Sequence, residues 1–402
     1  MTMKKTMMAG LLFVAGAAMR CGADVVAVSP ANGETVAMLP ECQRRVMALE
    51  TQEERRALFA DDAAHGKALA HDKLWRKSAP LVLEWKATDG DAGPWAVEIS
   101  TSPDFSGARV EIVDRKGTEC KWEVPRPNLV PATRYWWRVT ANAACKAWSH
   151  GRVCKCKNRR QPAVSAPAEF VTADEAPRWI EIEGRVSNIR DVGGRKTVDG
   201  RRVRTGLAFR GQGLNDNSTD GIQRGRNRLM VEDVSFLRGT LGIKTDLDLR
   251  NAREVAGMEE SPLGPGVRYV WHSSECYAGA FKPKGMDVMA KNFRVLCNRG
   301  NLPVYFHCIA GADRTGTLAY ILGGLLGVPE HDLETDWEST FYPKIPGAKG
   351  RDDWNWIGHI REGLAKYGKP GDPLSLRVEL YLKDCGITDA EIASAREIYL
   401  EK

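Results

Sequence analysis

Residues 307–316, HCIAGADRTG, bring a thiol, a guanidinium and several small residues together within ten positions. β-prone residues precede this stretch at 304–306 and helix-prone residues follow it from 315 to 326, so the stretch is predicted to turn from a strand into a helix. The backbone N–H groups of such a turn are unpaired and lie at the positive end of the helix, where they can bind a tetrahedral dianion. The stretch is therefore predicted to be a phosphate-binding loop.

The residue types in this loop suit the binding of phosphate oxygens. Gly311 permits a tight turn where a Cβ would crowd the ligand. The planar fork of Arg314 can hold two oxygens at once. The predicted phosphate-binding residues are Ile309, Ala310, Gly311, Ala312, Asp313 and Arg314.

Cys308 is the predicted nucleophile. The loop amides, the helix N-terminus and Arg314 all favour its thiolate, so the thiol should lose its proton below neutral pH and attack phosphorus. Thr315 is placed to hydrogen-bond the sulfur and help it leave the phospho-enzyme. His307 is predicted to orient the loop by bonding to nearby backbone.

The same stretch resembles the catalytic loop of the cysteine-based protein tyrosine phosphatase superfamily, in which five residues separate the cysteine from the arginine. Upstream, SNIRDVGG (187–194), DGRRVRTGLAFRGQGL (199–214) and TDLDLRNAREV (245–255) resemble the bacterial tyrosine phosphatase and lipid phosphatase-like family. The resemblance covers residues 180–402. It implies an α/β phosphatase domain with a central mixed sheet flanked by helices, and a phosphomonoester hydrolase that forms a phosphocysteine.

Ala312 departs from the pattern of this family. Many relatives have a lysine there, and the resemblance associates that lysine with phosphoinositide or dual substrate use. Phosphotyrosine in proteins is the default substrate that the resemblance implies, and inositol phosphates or phosphoinositides are the alternative. A hypothesis of another class is a catalytically silent protein that binds cell surfaces.

The sequence leaves two main candidates for the general acid, which protonates the leaving oxygen. Asp313 lies inside the loop beside Arg314, and Asp248 ends a predicted strand at the sheet edge where α/β proteins bind ligands. Asp248 could instead pair with a nearby basic group. Asp246 is a further option.

For several other charged and aromatic residues, the sequence supports two interpretations of their role. Arg190 and Arg210 either reach the substrate or form structural ion pairs. Arg250 and Glu254, four positions apart, are predicted to pair with each other. The aromatic segment 341–373 forms either a wall of the site that accepts an aromatic or inositol ring, or a surface insertion.

Residues 79–173 contain short runs with period-two alternation separated by turn residues, which is typical of an antiparallel sandwich. Within them, TSPDFSG and LVPATRYWWRVTA resemble a bacterial fibronectin type III domain. The tryptophans at 95, 136 and 137 form either a carbohydrate platform that contacts glycans or a cell surface, or the core of the sandwich.

The N-terminal residues 1–23 have two lysines, a short apolar stretch and small residues, which is typical of a signal peptide and predicts an exported protein, periplasmic or extracellular. Residues 24–78 are predicted to be helical or irregular. Ten cysteines are present, so nine remain after cleavage and at least one thiol is unpaired within the chain. Cys308 is the thiol that we expect to stay free.

The net charge of +6 suits an anionic substrate but is too small to indicate a nucleic-acid partner. The histidines and cysteines show no metal-ligand spacing, and a thiolate mechanism needs neither a metal nor another cofactor. The sequence carries no signal for the oligomeric state.

Overall fold

The computed structural model describes residues 24–64, 75–88, 93–141, 163–215, 228–340 and 354–402. The predicted signal peptide lies outside these residues. None of the helices within them combines the length and apolar character that crossing a bilayer requires. The chain divides into two compact units, of which the first contains residues 1–32, 83–122 and 135–169 and the second contains residues 33–82, 123–134 and 170–402.

The elements before residue 173 are strands with two short helices between them. In chain order they are β1 (Val25–Ser29), β2 (Glu34–Val36), α1 (Glu41–Met47), α2 (Gln52–Ala64), β3 (Val82–Ala87), β4 (Trp95–Ser100), β5 (Arg109–Val113), β6 (Glu119–Glu123), β7 (Arg134–Thr140) and β8 (Ala168–Thr172).

The elements after residue 173 alternate between strands and helices. They are β9 (Arg190–Asp191), β10 (Ala208–Gln212), α3 (Val231–Ser235), β11 (Thr245–Asp248), β12 (Arg268–Trp271), α4 (Pro283–Leu296), β13 (Val304–Cys308), α5 (Asp313–Leu325), α6 (Glu330–Ser339), α7 (Gly358–Leu364), α8 (Leu374–Asp384) and α9 (Asp389–Tyr399). Short 3₁₀ turns cover Tyr277–Phe281, Arg299–Asn301 and Trp354–Ile357, and a π turn covers Phe236–Thr240.

In the first unit, β3 lies between β1 and β6, and β4 pairs antiparallel with both β5 and β7. Trp85 of β3 packs edge-on against Trp95 of β4, with ring centroids 5.7 Å apart. Tyr135, Trp137 and Val139 alternate as buried residues along β7, as the pattern predicts. Because Trp95 and Trp137 are fully buried, they form core and do not form a carbohydrate platform.

The predicted boundaries of the N-terminal segment differ from the observed ones. Residues 24–78 were expected to be helical or irregular, but β1 lies in this segment and pairs antiparallel with β3. Residues 33–82 group with residues 170–402, and Glu175 accepts hydrogen bonds from the amides of Met38 and Leu39 at 2.9 Å. Such contacts between distant residues leave no periodic pattern in the sequence. The fibronectin type III identity remains a prediction.

In the second unit, five strands of the described chain form a mixed sheet in the order β12-β11-β13-β10-β9. All neighbours are parallel except β9, which runs antiparallel to β10. The central strand β13 is buried along its whole length because helices and loops cover both faces. Phe306 packs into one hydrophobic core and the adjacent Tyr305 into the other. The predicted α/β architecture with a mixed sheet is therefore confirmed.

Candidate active site

The loop between β13 and α5 is held by its carbonyl groups. Three donors from other segments bind them: Gly213 N donates to Ile309 O at 3.1 Å, Asn188 Nδ2 to Ala310 O at 2.9 Å, and Arg210 Nη2 to Gly311 O at 2.8 Å. A trans peptide places each C=O opposite the following N–H. The amides of residues 310–312 therefore face away from these donors, toward the side that we call the amide side of the loop.

Gly311 allows this loop to pack against its neighbour. Its φ is +70°, and a Cβ built on it would lie 2.3 Å from the carbonyl oxygen of Gly211. Such contacts are impossible for any side chain, so the predicted need for glycine has a steric basis.

Cys308 ends β13 with 1% of its surface exposed, and its thiol is free. Burial raises the pKa of this thiol, but the charge of Arg314 and hydrogen bonds from the hydroxyl and amide of Thr315 lower it by more, so the net pKa falls below the ordinary value. The Thr315 hydroxyl is buried and makes no other hydrogen bond within the described residues. It is thus available to the sulfur.

Arg314 lies in the first turn of α5, where Nη1 and Nη2 donate to the Glu254 carboxylate at 2.6 and 3.2 Å. Burial lowers the pKa of Arg314, but Glu254 and Cys308 raise it by more, so the guanidinium stays charged. The predicted pair between Arg250 and Glu254 is wrong. Arg250 donates instead to Asp248, since the chain turns after β11 and brings these two side chains together.

Asp248 is fully buried and its carboxylate is engaged from several directions. Arg250 Nη2 donates to it at 2.6 Å and the Tyr269 hydroxyl at 3.1 Å. Burial raises the pKa of Asp248, but His307 and Arg250 lower it by more, which favours the ionised form. These contacts fit the structural reading of Asp248.

His307 and Asp246 form a second buried pair beside β13. His307 Nε2 lies 2.9 Å from Asp246 Oδ1, and Nδ1 lies 3.3 Å from the Cys308 carbonyl oxygen. Burial lowers the pKa of His307, but Asp248 and Asp246 raise it by more. Asp246 also accepts a hydrogen bond from Ser261 at 2.7 Å, so its carboxylate is tied into this pair. The orienting role of His307 remains a prediction.

Arg190 and Arg210 form ion pairs rather than facing open solvent. Both donate to Asp336 of α6, Arg190 Nε at 2.8 Å and Arg210 Nη1 at 2.6 Å, and Arg195 donates to the same carboxylate at 2.8 Å. Because Arg210 also binds Gly311 O, this cluster lies on the carbonyl side of the loop. Sequence reasoning missed Asp336, which stands more than a hundred positions from its partners without a motif.

Asp313 begins α5 and is only half-buried. Its Oδ1 accepts a hydrogen bond from the Tyr277 hydroxyl at 2.6 Å, and that hydroxyl accepts one from Trp337 Nε1 at 3.1 Å. Tyr277 has a φ of +51°, a strained conformation for an aromatic residue that is typical of functional sites. The sequence did not indicate a role for Tyr277. Residues other than glycine and asparagine rarely adopt a positive φ, so this conformation could not be predicted from the residue type.

An exposed indole borders this group of residues. The ring of Trp356 lies 5.0 Å from the ring of Tyr277, and 45% of its surface is exposed. Residues 341–353 of the predicted aromatic segment lie outside the described residues. In the part of the chain that the structure covers, no three His, Cys, Asp or Glu side chains are arranged to hold a metal ion.

Part of the chain is similar to known proteins. Residues 180–346 match the model of a family described as the tyrosine phosphatase family. A "putative tyrosine-protein phosphatase" of Cupriavidus necator is 28% identical over 195 residues, which are 40% of this chain and 64% of the relative. The match thus spans less than two thirds of that relative's length.

A solved structure of the core catalytic domain of the PP-IP phosphatase SIW14 from S. cerevisiae, in complex with citrate, is also similar. It is 21% identical, covers 32% of this chain and 74% of that chain, and has a TM-score of 0.24. Residues 180–346 are thus similar to the tyrosine phosphatase family, and part of the chain is similar to a protein named as a phosphatase in C. necator.

Proposed function

We propose that this protein hydrolyses phosphomonoesters through a phosphocysteine, as a protein tyrosine phosphatase does. One observation carries the proposal: the carbonyls of Ile309, Ala310 and Gly311 are each bound by a donor from another segment, which leaves the amides of residues 310–312 facing the opposite side of the loop. Amides so arranged, at a helix N-terminus and beside a guanidinium, stabilise the equatorial oxygens of a phosphoryl group in the transition state.

The reaction follows from this arrangement in two steps. The Cys308 thiolate attacks phosphorus, the ester bond breaks, and the leaving oxygen takes a proton from Asp313. Water then attacks the phosphocysteine, Asp313 takes a proton from that water, and the sulfur leaves as a thiolate beside the Thr315 hydroxyl. We assign the acid role to Asp313 because it is half-exposed beside the loop, whereas Asp248 is ionised and engaged by Arg250.

An aryl phosphate fits the site better than a sugar phosphate. The proposed acid Asp313 is bound by the phenol of Tyr277, and the exposed Trp356 packs against that ring at an angle of 54°. The leaving group would therefore depart along an aromatic surface, which suits the ring of phosphotyrosine. Ala312 offers no charge for the further phosphates of an inositol ring, which keeps inositol phosphates and phosphoinositides as the alternative.

The activity is tested by turnover of p-nitrophenyl phosphate in the presence of EDTA. We expect wild type to be active, and Cys308→Ser to lose at least about 10⁴-fold in kcat, because removal of a nucleophile has an effect of this size. Cys276→Ser is the matched control and should retain most of the activity. Absence of turnover by folded wild type would contradict the proposal and favour a silent, surface-binding protein.

The substrate class is tested by comparing a phosphotyrosine peptide, inositol hexakisphosphate and phosphoinositide vesicles. Wild type should have its highest kcat/KM on the peptide. Trp356→Ala should lower kcat/KM on the peptide by about tenfold, the value of one aromatic contact, and should change the other rates less. A preference for inositol hexakisphosphate would overturn the aryl assignment and leave the cysteine mechanism intact. Export and glycan contact remain predictions from the sequence.

A further inference from the structure

Helix α2 carries a buried arginine that contacts α6. Arg55 has no exposed surface, its Nε donates to Glu338 Oε2 at 2.5 Å, and its Nη2 donates to Glu338 Oε1 at 3.2 Å. Glu338 is equally buried, and it also accepts a hydrogen bond from Gln52 at 2.9 Å. The planar fork of arginine matches a carboxylate in this bidentate geometry, which fixes one helix against the other.

Helix α6 connects this contact to both sides of the phosphate loop. Asp336, two positions before Glu338, binds Arg210, which donates to the Gly311 carbonyl. Trp337 donates to the Tyr277 hydroxyl, which in turn donates to Asp313. Three consecutive residues of α6 therefore have three different partners. Glu338 contacts α2, Trp337 is linked through Tyr277 to the proposed acid Asp313, and Asp336 is linked through Arg210 to the phosphate loop.

Helix α1 provides a second connection, which leads to the Asp336 carboxylate. Gln43 Oε1 accepts a hydrogen bond from Trp179 Nε1 at 2.9 Å. The guanidinium carbon of Arg190 lies 5.1 Å from the centre of the Trp179 ring, and Arg190 Nε donates to Asp336. Residues before 65 thus reach Asp336 by two routes, through Glu338 and its helix and through Trp179.

We propose that Arg55 is a positioning residue of the phosphatase site, and that the segment of α1 and α2 is part of the catalytic unit rather than a separate N-terminal extension. Arg55 fixes the position of α6, and α6 fixes the phosphate loop and Asp313. The inference rests on the proposed function. The relevant property is geometric, because a displacement of about 1 Å in a catalytic group, caused by a mutation far from the chemistry, can reduce the rate by about 10²-fold.

The test uses three variants of the full chain: Arg55→Met, Arg55→Lys and, as a matched control, Arg361→Met. Arg361 donates to Glu334 on the same helix, which Arg55 Nη2 also reaches at 3.5 Å, but the Arg361 side chain is 45% exposed, so its removal deletes an equal charge without emptying a buried guanidinium site. For Arg55→Met we expect kcat on p-nitrophenyl phosphate to fall by about tenfold or more at a temperature where the variant is fully folded, with a smaller change in KM. Arg55→Lys, which keeps the charge but not the fork, should be intermediate.

Binding of inorganic phosphate, measured by calorimetry, gives a readout that does not need turnover. Arg55→Met should weaken phosphate binding severalfold, and Arg361→Met should change neither phosphate binding nor kcat by more than about twofold. If wild type binds phosphate without turning over substrate, the proposed function fails and the phosphate affinities alone decide the positioning role. Wild-type kcat and phosphate affinity in folded Arg55→Met would overturn the inference, and if that variant does not fold, the same result in Arg55→Lys would do so.

Discussion

The two sides of the phosphate loop differ in how their charged side chains are paired. On the amide side, Arg314 and Asp313 are partly exposed. Arg314 donates to the Glu254 carboxylate, and Asp313 accepts a hydrogen bond from the Tyr277 hydroxyl, so a substrate can displace or join either partner. On the carbonyl side, Asp336 accepts from three arginines that are almost fully buried. Exchangeable partners suit a surface that binds and releases phosphate, whereas buried multivalent pairing suits a surface that keeps its shape.

The charges on the carbonyl side do not cancel. Three guanidinium groups surround one carboxylate, and burial together with the nearby Arg190 lowers the pKa of Arg210 to about 9. Arg210 is still charged at neutral pH, and Cys308 is one of the groups that favours its charged form. The carbonyl side therefore contributes positive potential to the thiolate, although its residues do not face the substrate.

A substitution on the amide side should lower the catalytic rate and leave the stability of the fold nearly unchanged. Arg314→Lys keeps the positive charge but loses the two-pronged geometry, so we expect kcat/KM on p-nitrophenyl phosphate to fall by about 10³-fold. The free energy of unfolding should change by less than about 1 kcal/mol, because the lysine can still pair with Glu254. Steady-state kinetics and urea unfolding measure the two quantities. A large loss of stability without a loss of rate would contradict the division between the two sides.

A substitution on the carbonyl side should act on stability first. Asp336→Asn leaves three buried arginines without a carboxylate, and removal of one member of a buried ion pair costs about 3–5 kcal/mol of unfolding free energy. The exposed pair of Asp199 with Arg201 supplies the control, since Asp199→Asn should change the unfolding free energy by less than about 0.5 kcal/mol. Equal effects of the two substitutions in urea unfolding would show that the buried cluster is not structural.

The contribution of Asp336 to the free energy of unfolding depends on pH in a defined direction. Burial raises the pKa of Asp336, but the three arginines lower it by more, so its folded-state pKa lies well below the ordinary value. Its stabilising contribution is therefore complete above the unfolded pKa of about 3.9 and is lost only as the pH falls toward the folded-state pKa. The difference in stability between wild type and Asp336→Asn should stay constant from pH 5 to pH 8.

The parts of the site that are local in the sequence could be predicted from it. The phosphate loop is one continuous stretch between a strand and a helix, and the C-terminal helix α9 begins at Thr388 with Glu391 as its capping partner, as the residue types predict. Both depend on neighbours within a few positions. Strands β10, β11, β12 and β13 were also predictable, because each coincides with a short run of β-prone residues, such as Val304, Tyr305 and Phe306 in β13.

The supporting residues could not be predicted, because their partners are far away in the chain. Glu254 lies sixty positions from Arg314, and Arg55 lies 283 positions from Glu338. A single sequence gives no measure of which distant charges meet. The pairing of Arg250 with Glu254 was predicted by helical spacing, but this segment turns instead of forming a helix, so the spacing rule did not apply.

The smallest expected effect concerns the Thr315 hydroxyl on the amide side. Its hydrogen bond lowers the pKa of Cys308, so Thr315→Val should raise the midpoint of Cys308 alkylation by iodoacetamide by less than about one pH unit, the value of one neutral hydrogen bond. In wild type that midpoint should lie below the usual thiol pKa of about 8.5. Burial and the Asp313 carboxylate raise the pKa of Cys276 to about 12, so it should stay unlabelled and serve as the internal control in a mass-spectrometric assay. An unchanged midpoint in Thr315→Val would mean that the amides and Arg314 alone hold the thiolate, and that the hydroxyl acts only later, when the sulfur leaves phosphorus.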